Sequence, residues 1–230
     1  MRHIAKTVKG KRKYIEDMYT IAKPRGLRYF AVFDGHAGDT TARYCQTTLH
    51  KILATKIGLG AKIKHAIKAS LYECNEKMRT LKLSAGNTAV MYIATPTRHY
   101  FASLGDSLVL LVRHKKIVYD SPVYKIEDYE EARRIVDRGG VIVNGRINNY
   151  LAVSRSMGDF DVRGVITEPT VDSIPRKKGD LVILVSDGVT DRYTPKELVA
   201  EIVSFDDLNE ACNKVLRNSI DNATIIVVCT

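Results

Sequence analysis

Apolar positions along the chain fall mostly into short runs separated by glycine, proline and polar turns. "LRYFAVF" from Leu27, "NTAVMYIAT" from Asn87, "HYFASLG" from His99, "SLVLLVR" from Ser107, "LVILVS" from Leu181 and "ATIIVVCT" from Ala223 read as strands, as does "YIEDMYTI" from Tyr14. Several follow one another through brief turns, which favours antiparallel pairing. A different period governs two intervening stretches. Between Asp39 and Ile57, Ala42, Cys45, Leu49, Ile52 and Leu53 recur at the three-and-four spacing of a helix face, and Ile63, Ile67, Leu71 and Cys74 repeat the pattern. "IEDYEEARRIVDRGG" predicts another helix, stopped by Gly139 and Gly140. "TPKELVAEIV" offers Thr194 as N-cap, Pro195 in the first helical position and Glu197 three residues after the cap, a capping box. A last helix is expected from Asp207 to Asn218. This order is not a βαβ alternation, so the pattern predicts an α+β fold with helices covering antiparallel sheet. No repeat, low-complexity tract or linker breaks the chain, and one domain over residues 1–230 is expected.

Composition narrows the class. With 45% hydrophobic and 27% charged residues the chain has the balance of a soluble globular protein. No apolar run approaches the roughly 20 residues a membrane helix needs. The start, MRHIAKTVKGKRK, lacks the apolar centre of a signal peptide. An intracellular protein, cytoplasmic or nuclear and without a membrane partner, is expected. Cys45, Cys74, Cys212 and Cys229 match no zinc or redox spacing and read as reduced thiols in apolar faces. A net charge of +10 attracts anions without choosing among them. The basic residues are scattered apart from "KGKRK" at Lys9 to Lys13, and no aromatics interleave with arginines, which argues against a nucleic-acid groove. "KGKRK" itself reads as a charged approach to a phosphate site or a nucleic-acid patch ahead of a nuclear address.

The candidate chemistry lies where strands end. Acids recur there: Glu16 and Asp17 in "IED", Asp34 in "FDGHAG", Asp106 in "LGDS", Asp187 in "SDGVTD" and Asp221 in "DNATIIVV". A loop at the tip of a rigid strand holds a side chain in place yet open to solvent. Taken singly, the Asp-Gly and "LGDS" motifs are turns by their chemistry, "ED" at Glu16 is solvated strand decoration and His36 a surface loop residue. If the acids converge, their repulsion demands cations. Oxygen-only ligation suits Mg²⁺ or Mn²⁺ rather than zinc. Two such ions roughly 4 Å apart can share a water and bring its pKa toward neutrality.

Eight motifs in sequence carry a resemblance: "RKYIED" (Arg12 to Asp17), "VFDGHAG" (Val32 to Gly38), "GNTAV" (Gly86 to Val90), "LGDS" (Leu104 to Ser107), "LAVSRSMGD" (Leu151 to Asp159), "EPTV" (Glu168 to Val171), "LVSDGVTD" (Leu184 to Asp191) and "DNATIIVV" (Asp221 to Val228). Over nearly its whole length the chain resembles the metal-dependent protein phosphatases of the type 2C class. The resemblance implies a four-layer αββα sandwich of two antiparallel sheets flanked by helices, with a metal site at one end. It implies Asp34 bridging two ions, the Gly35 carbonyl and Glu16 serving one, Asp187 and Asp221 the other, and Asp106 helping Asp187 hold a third, weaker one. Asp17 would orient ligands or waters. Arg12, on the same strand as Glu16, would grip the substrate phosphate with its planar fork. His36 would protonate the departing serine or threonine oxygen, a task suited to imidazole. The partners implied are phosphorylated proteins, hydrolysed without a phosphoenzyme by a hydroxide bridging two Mg²⁺ or Mn²⁺ ions, and the protein is expected to act as a monomer. Arg155 and Asp159 read as scaffold, an ion-pair partner and a turn residue, and Thr88 is likewise assigned to structure.

Departures from the family pattern are also visible. An Asp-His pair common before the "EARRI" helix is replaced by "SPVYKIEDYEEARRI", Leu108 stands where arginine often follows "GDS", and the stretch from Asp159 to Glu168 is brief, implying a reduced flap. Substrate selection is therefore expected to be the chain's own. Arg12 near the start and Asp221 near the end suggest a bare catalytic domain. Two rival readings stand beside the enzyme: a silent phosphoprotein binder, disfavoured because Glu16, Asp34, Asp187 and Asp221 are all present, and a metal-dependent nuclease, disfavoured by motif order and the missing aromatic platform.

Overall fold

Burial along one strand points to the architecture. In Arg28–Phe33, Phe30 and Val32 face one way and Tyr29, Ala31 and Phe33 the other, and all five are buried. A strand covered on both faces sits inside a stack of layers. The computed structural model describes residues 1–230.

In chain order the first half comprises β1 (Arg2–Val8), β2 (Met18–Ala22), β3 (Arg28–Phe33), β4 (Gly35–His36), α1 (Thr40–Gly58), α2 (Ile63–Thr80), β5 (Gly86–Asn87), β6 (Ala89–Ala94) and β7 (Arg98–Leu104). Next come β8 (Leu108–Arg113), β9 (Lys116–Asp120), α3 (Tyr129–Asp137), β10 (Ile142–Val143), β11 (Arg146–Ile147), β12 (Met157–Gly158) and β13 (Thr170–Pro175). The chain closes with β14 (Leu181–Val185), α4 (Asp187–Thr190), α5 (Pro195–Val203), α6 (Leu208–Leu216) and β15 (Ala223–Cys229). Two five-stranded sheets dominate, in the orders β1-β15-β14-β8-β9 and β13-β7-β6-β3-β2, with every neighbouring pair antiparallel.

Three apolar clusters separate four layers. Between the sheets, Phe30, Val32, Tyr92 and Phe101 meet Val109, Leu111, Leu184 and Ile226. On the outer face of one sheet, Leu49, Leu53, Ile67 and Leu71 of α1 and α2 cover Tyr29, Phe33 and Met91. On the outer face of the other, Leu198, Ile202, Cys212 and Val215 of α5 and α6 cover Leu110, Ile183 and Ile225. The result is helices, sheet, sheet, helices, as the resemblance implied. Thr194 caps α5 in the expected box: its Oγ1 accepts the Glu197 N–H, and Glu197 Oε2 accepts the Thr194 N–H at 2.8 Å.

The strand expected from Tyr14 starts only at Met18, and residues 9–17 form a loop. Their backbone is satisfied across the molecule instead: Lys11 N–H donates to the Ile220 carbonyl at 2.9 Å, and Asn222 Nδ2 donates to the carbonyls of Lys9 and Tyr14 at 2.8 and 3.0 Å. In the two large sheets three strands escape the hydrophobic pattern, β1, β9 and β13, and each is a sheet edge. With one neighbour and a partly exposed face, an edge strand needs fewer apolar residues than a central one.

Candidate metal centre and active site

Three turns deliver carboxylates to one end of the sandwich. Asp34 follows the last residue of β3, Asp106 lies in the β7–β8 turn, and Asp187 opens α4 just beyond β14. Gly105, at φ 94°, turns the chain ahead of Asp106; a Cβ there would also run into Thr88. Oxygens of Asp34, Asp106 and Asp187 lie within 4.8 Å of one another. The Asp187 N–H points at Asp34 Oδ2 across 3.4 Å.

These acids sit in a costly environment. Burial pushes Asp34 well above the carboxylate range, reinforced by the charges of Asp187, Asp17 and Asp106. Burial and Asp187 push Asp106 up to about 7, and Asp106 Oδ1 is buried with no partner. Burial and the charges of Asp191 and Asp221 raise Asp187, although its contact with Asp34 works the other way. Asp17, behind them, is raised to about 6 by burial despite Oδ2 accepting from Thr224 Oγ1 at 2.7 Å and Ser186 Oγ at 2.8 Å.

The trio opens into a cavity of about 780 Å³, also lined by Arg12, Glu16, Gly35, His36, Asp191 and Asp221. Every residue expected at the site except Asp17 therefore borders one space. Glu16 and Asp221 reach its wall without joining the tight trio: Glu16 Oε1 accepts the Gly38 N–H at 2.5 Å, and Asp221 pairs with Arg12. Contrary to expectation, Arg12 shares no strand with Glu16, because both belong to the loop pinned by Asn222; its side chain is 60% exposed. Gly35 leaves room for the Glu16 carbonyl, which a Cβ would strike. His36 bonds to Asp159 through Nε2 at 2.7 Å.

The opposite wall comes from residues 125–153, including Lys125, Glu127, Arg146 and Tyr150. Behind that wall, Arg155 pairs with buried Glu131 at 2.5 Å and covers the Tyr124 ring, which makes it the internal ion-pair partner expected. Leu108 is buried in the core beneath α5 and α6. Thr88 borders the cavity and bonds to Ser107 at 2.7 Å. Sequence reasoning gave no role to Asp191, which shares the cavity wall, or to Asn222, which ties the Arg12 loop to Asp221's neighbourhood. Asp191 had a signal: it stands four residues after Asp187, hence on the same helical face.

A cation fits this donor set. Three acids meet with no lysine or arginine among them, and at an effective dielectric near 20 each fully ionised pair at this spacing repels by about 3 kcal/mol. An all-oxygen ligand set, with one buried oxygen unpartnered, suits a hard divalent ion.

Comparison with known proteins gives one consistent family. The family model described as protein phosphatase 2C matches residues 3–226. Protein phosphatase 1A of Bos taurus is 34% identical over 269 residues, covering 100% of this chain and 70% of that protein. Among solved structures, a sex determining protein of C. elegans superposes with a TM-score of 0.89 at 24% identity, over 98% of this chain and 64% of the other. A phosphatase from a pathogenic strain of Toxoplasma gondii superposes with a TM-score of 0.88 at 23% identity, over 99% and 92%. At those identities the two structures speak for the fold alone.

Proposed function

The chain belongs to the protein phosphatase 2C family, and from that membership we infer that it is a metal-dependent serine/threonine protein phosphatase whose reaction takes place in the acidic cavity. Its substrates are phosphoserine and phosphothreonine side chains of proteins. The observation that carries the reading is the convergence of Asp34, Asp106 and Asp187 beside Arg12 and His36.

Asp34, Asp106 and Asp187, with Glu16, Asp221 and the Gly35 carbonyl on the surrounding wall, are the groups that would hold magnesium or manganese. Such ions supply Lewis acidity toward phosphoryl oxygens and a water of lowered pKa. The remaining work falls to the chain's own residues. Arg12 presents a planar fork to the non-bridging phosphate oxygens, and its exposure leaves it free to exchange Asp221 for substrate. When the ester P–O bond breaks, the bonding electrons stay on the serine or threonine oxygen, which needs a proton because an alkoxide leaves poorly. His36 borders the cavity and supplies that proton. Asp17 anchors the floor by holding Ser186 and Thr224, the residues next to Asp187 and in β15.

The test is phosphate release from a phosphothreonine peptide with Mn²⁺ or Mg²⁺. Release that is lost with chelator and with Asp34→Asn is expected. Tight peptide binding without turnover would establish a silent binder instead, and cleavage of DNA or RNA a nuclease.

A further inference from the structure

The partner of His36 is built with more care than a turn residue requires. β12, β5 and β4 form a separate three-stranded sheet. Its register pairs His36 with Gly86 and Gly86 with Gly158, so Gly86 lies between the histidine and the turn that carries Asp159. Over that glycine, His36 Nε2 meets Asp159 Oδ2 at 2.7 Å. A Cβ on residue 86 would overlap both atoms, and the missing side chain is what lets them meet.

The carboxylate is held from behind. Asp159 is 9% exposed and Ser156 fully buried, and Ser156 Oγ donates to the same Oδ2 at 2.5 Å. Asp159 takes a left-handed backbone, φ 49°, immediately after Gly158 at φ 83°. Aspartate is among the few residues with a Cβ that visit this conformation, at a modest cost that local hydrogen bonds offset. Here the Val162 N–H donates to the Asp159 carbonyl at 2.9 Å, and buried Asn75 of α2 accepts the Gly158 N–H at 2.8 Å. A carboxylate can only accept from the ring, so Nε2 carries the hydrogen in this bond.

We propose that Asp159 is a positioning residue: by taking the Nε2–H of His36 it fixes the ring and leaves Nδ1 as the nitrogen that gives a proton to the leaving oxygen. This rests on the phosphatase reading. In the step, water oxygen bonds to phosphorus, one of its hydrogens staying with the released phosphate and the other passing to solvent. The ester P–O bond breaks with its electron pair going to the serine or threonine oxygen, the Nδ1 proton passes to that oxygen and is replaced from solvent, and Nε2 keeps its hydrogen toward Asp159. Orientation of a working histidine by a buried carboxylate is a general device; removing the partner costs roughly 10- to 100-fold where the histidine ligates a metal and up to about 10⁴-fold in a serine-histidine-aspartate triad.

The test compares Asp159→Asn, His36→Ala and the double variant on a phosphoserine peptide, whose leaving group needs a proton, and on p-nitrophenyl phosphate, whose leaving group does not. Asp159→Asn is expected to slow the peptide roughly 10- to 100-fold, with the slowing at least about fivefold greater than on the aryl ester. The double variant should be no slower on the peptide than His36→Ala. Equal slowing of both substrates, or losses that multiply in the double variant, would overturn the proposal. A wild-type protein that hydrolyses neither substrate would sink the phosphatase reading instead, and nitrogen-15 NMR of His36 then decides the positioning on its own. A hydrogen on Nε2 that is lost or exchange-broadened in Asp159→Asn supports it, and a wild-type ring carrying its hydrogen only on Nδ1 refutes it. Ser156→Ala, which keeps the carboxylate but removes its donor, should slow the peptide in the same selective way if Asp159→Asn fails to fold.

Discussion

Replacing Glu131 by glutamine should destabilise the protein by an amount that shrinks as the solution is acidified. Glu131, on α3, is 5% exposed. Burial alone would raise its pKa, but Arg155, Arg134 and Ser154 outweigh burial and hold it down at about 2, against an ordinary 4.5. The donors are close: Arg155 Nη2 at 2.5 Å, Arg134 Nη2 and Ser154 Oγ each at 2.8 Å. A carboxylate whose pKa is depressed on folding adds stability that is complete above the unfolded value and lost as pH falls toward the folded one. A fall from 4.5 to about 2 corresponds to about 3 kcal/mol at neutral pH, of which about 2 kcal/mol is gone by pH 3. Glutamine keeps the shape but not the charge, leaving two arginines without their anion. The expected gap between wild type and Glu131→Gln in urea unfolding is therefore about 3 kcal/mol at pH 7 and about 1 kcal/mol at pH 3. Titrations common to both proteins cancel in this difference. A gap of the same size at both values would refute the reasoning, because the loss would then be packing rather than charge. The same variant should raise KM, since Arg134 and Arg155 also hold the carbonyls of Ser154, Gly164 and Glu168 behind the cavity wall.

Manganese at about a hundred times its dissociation constant should stabilise the wild type by about 2.7 kcal/mol, a rise in Tm of roughly 5 to 10 °C for a chain of this size, read by differential scanning fluorimetry. Asp34→Asn should lose most of that rise, and an unchanged rise would mean that the ion binds elsewhere. Thr194→Ala, which removes the cap of α5, should cost about 1 kcal/mol in urea unfolding without altering the half-activating manganese concentration; a cost near zero would mean that the exposed box is not formed in solution.

The central strands were legible because they are covered on both sides. β3, β6, β8, β14 and β15 bury alternate residues against the other sheet and against helices, so the chain shows them as unbroken apolar runs. β1 carries lysine and arginine between its apolar residues, since only part of its surface is covered. The acids were legible as a pattern because they recur where strand-like runs end or turn, whereas the ligand roles of Glu16, Asp34, Asp106, Asp187 and Asp221 were implied only by the family resemblance. Residues 9–17 misled because their partners are more than 200 positions away: Asn222 replaces the neighbouring strand that "YIEDMYTI" would otherwise need. Asp159 was hidden for a similar reason. Its relation to His36 spans 123 positions and exists only through the register of β4, β5 and β12.

The geometry of the acid trio follows from packing far from the acids. Asp34 continues a strand of one sheet and Asp187 a strand of the other, so their separation is set by how the sheets meet. That contact is made by Val32 and Leu184, each within three residues of its acid, inside a fully buried cluster with Phe30, Val90 and Val109. Interiors packed to crystal density transmit small changes in volume instead of absorbing them. Asp106 is bound to the same frame by the turn between β7 of one sheet and β8 of the other. Each pair of these acids that is ionised would push the sheet ends apart, and the apolar contact opposes that push. Truncating Val32 or Leu184 should consequently weaken metal affinity through spacing alone, even though neither side chain has an atom to offer the ion.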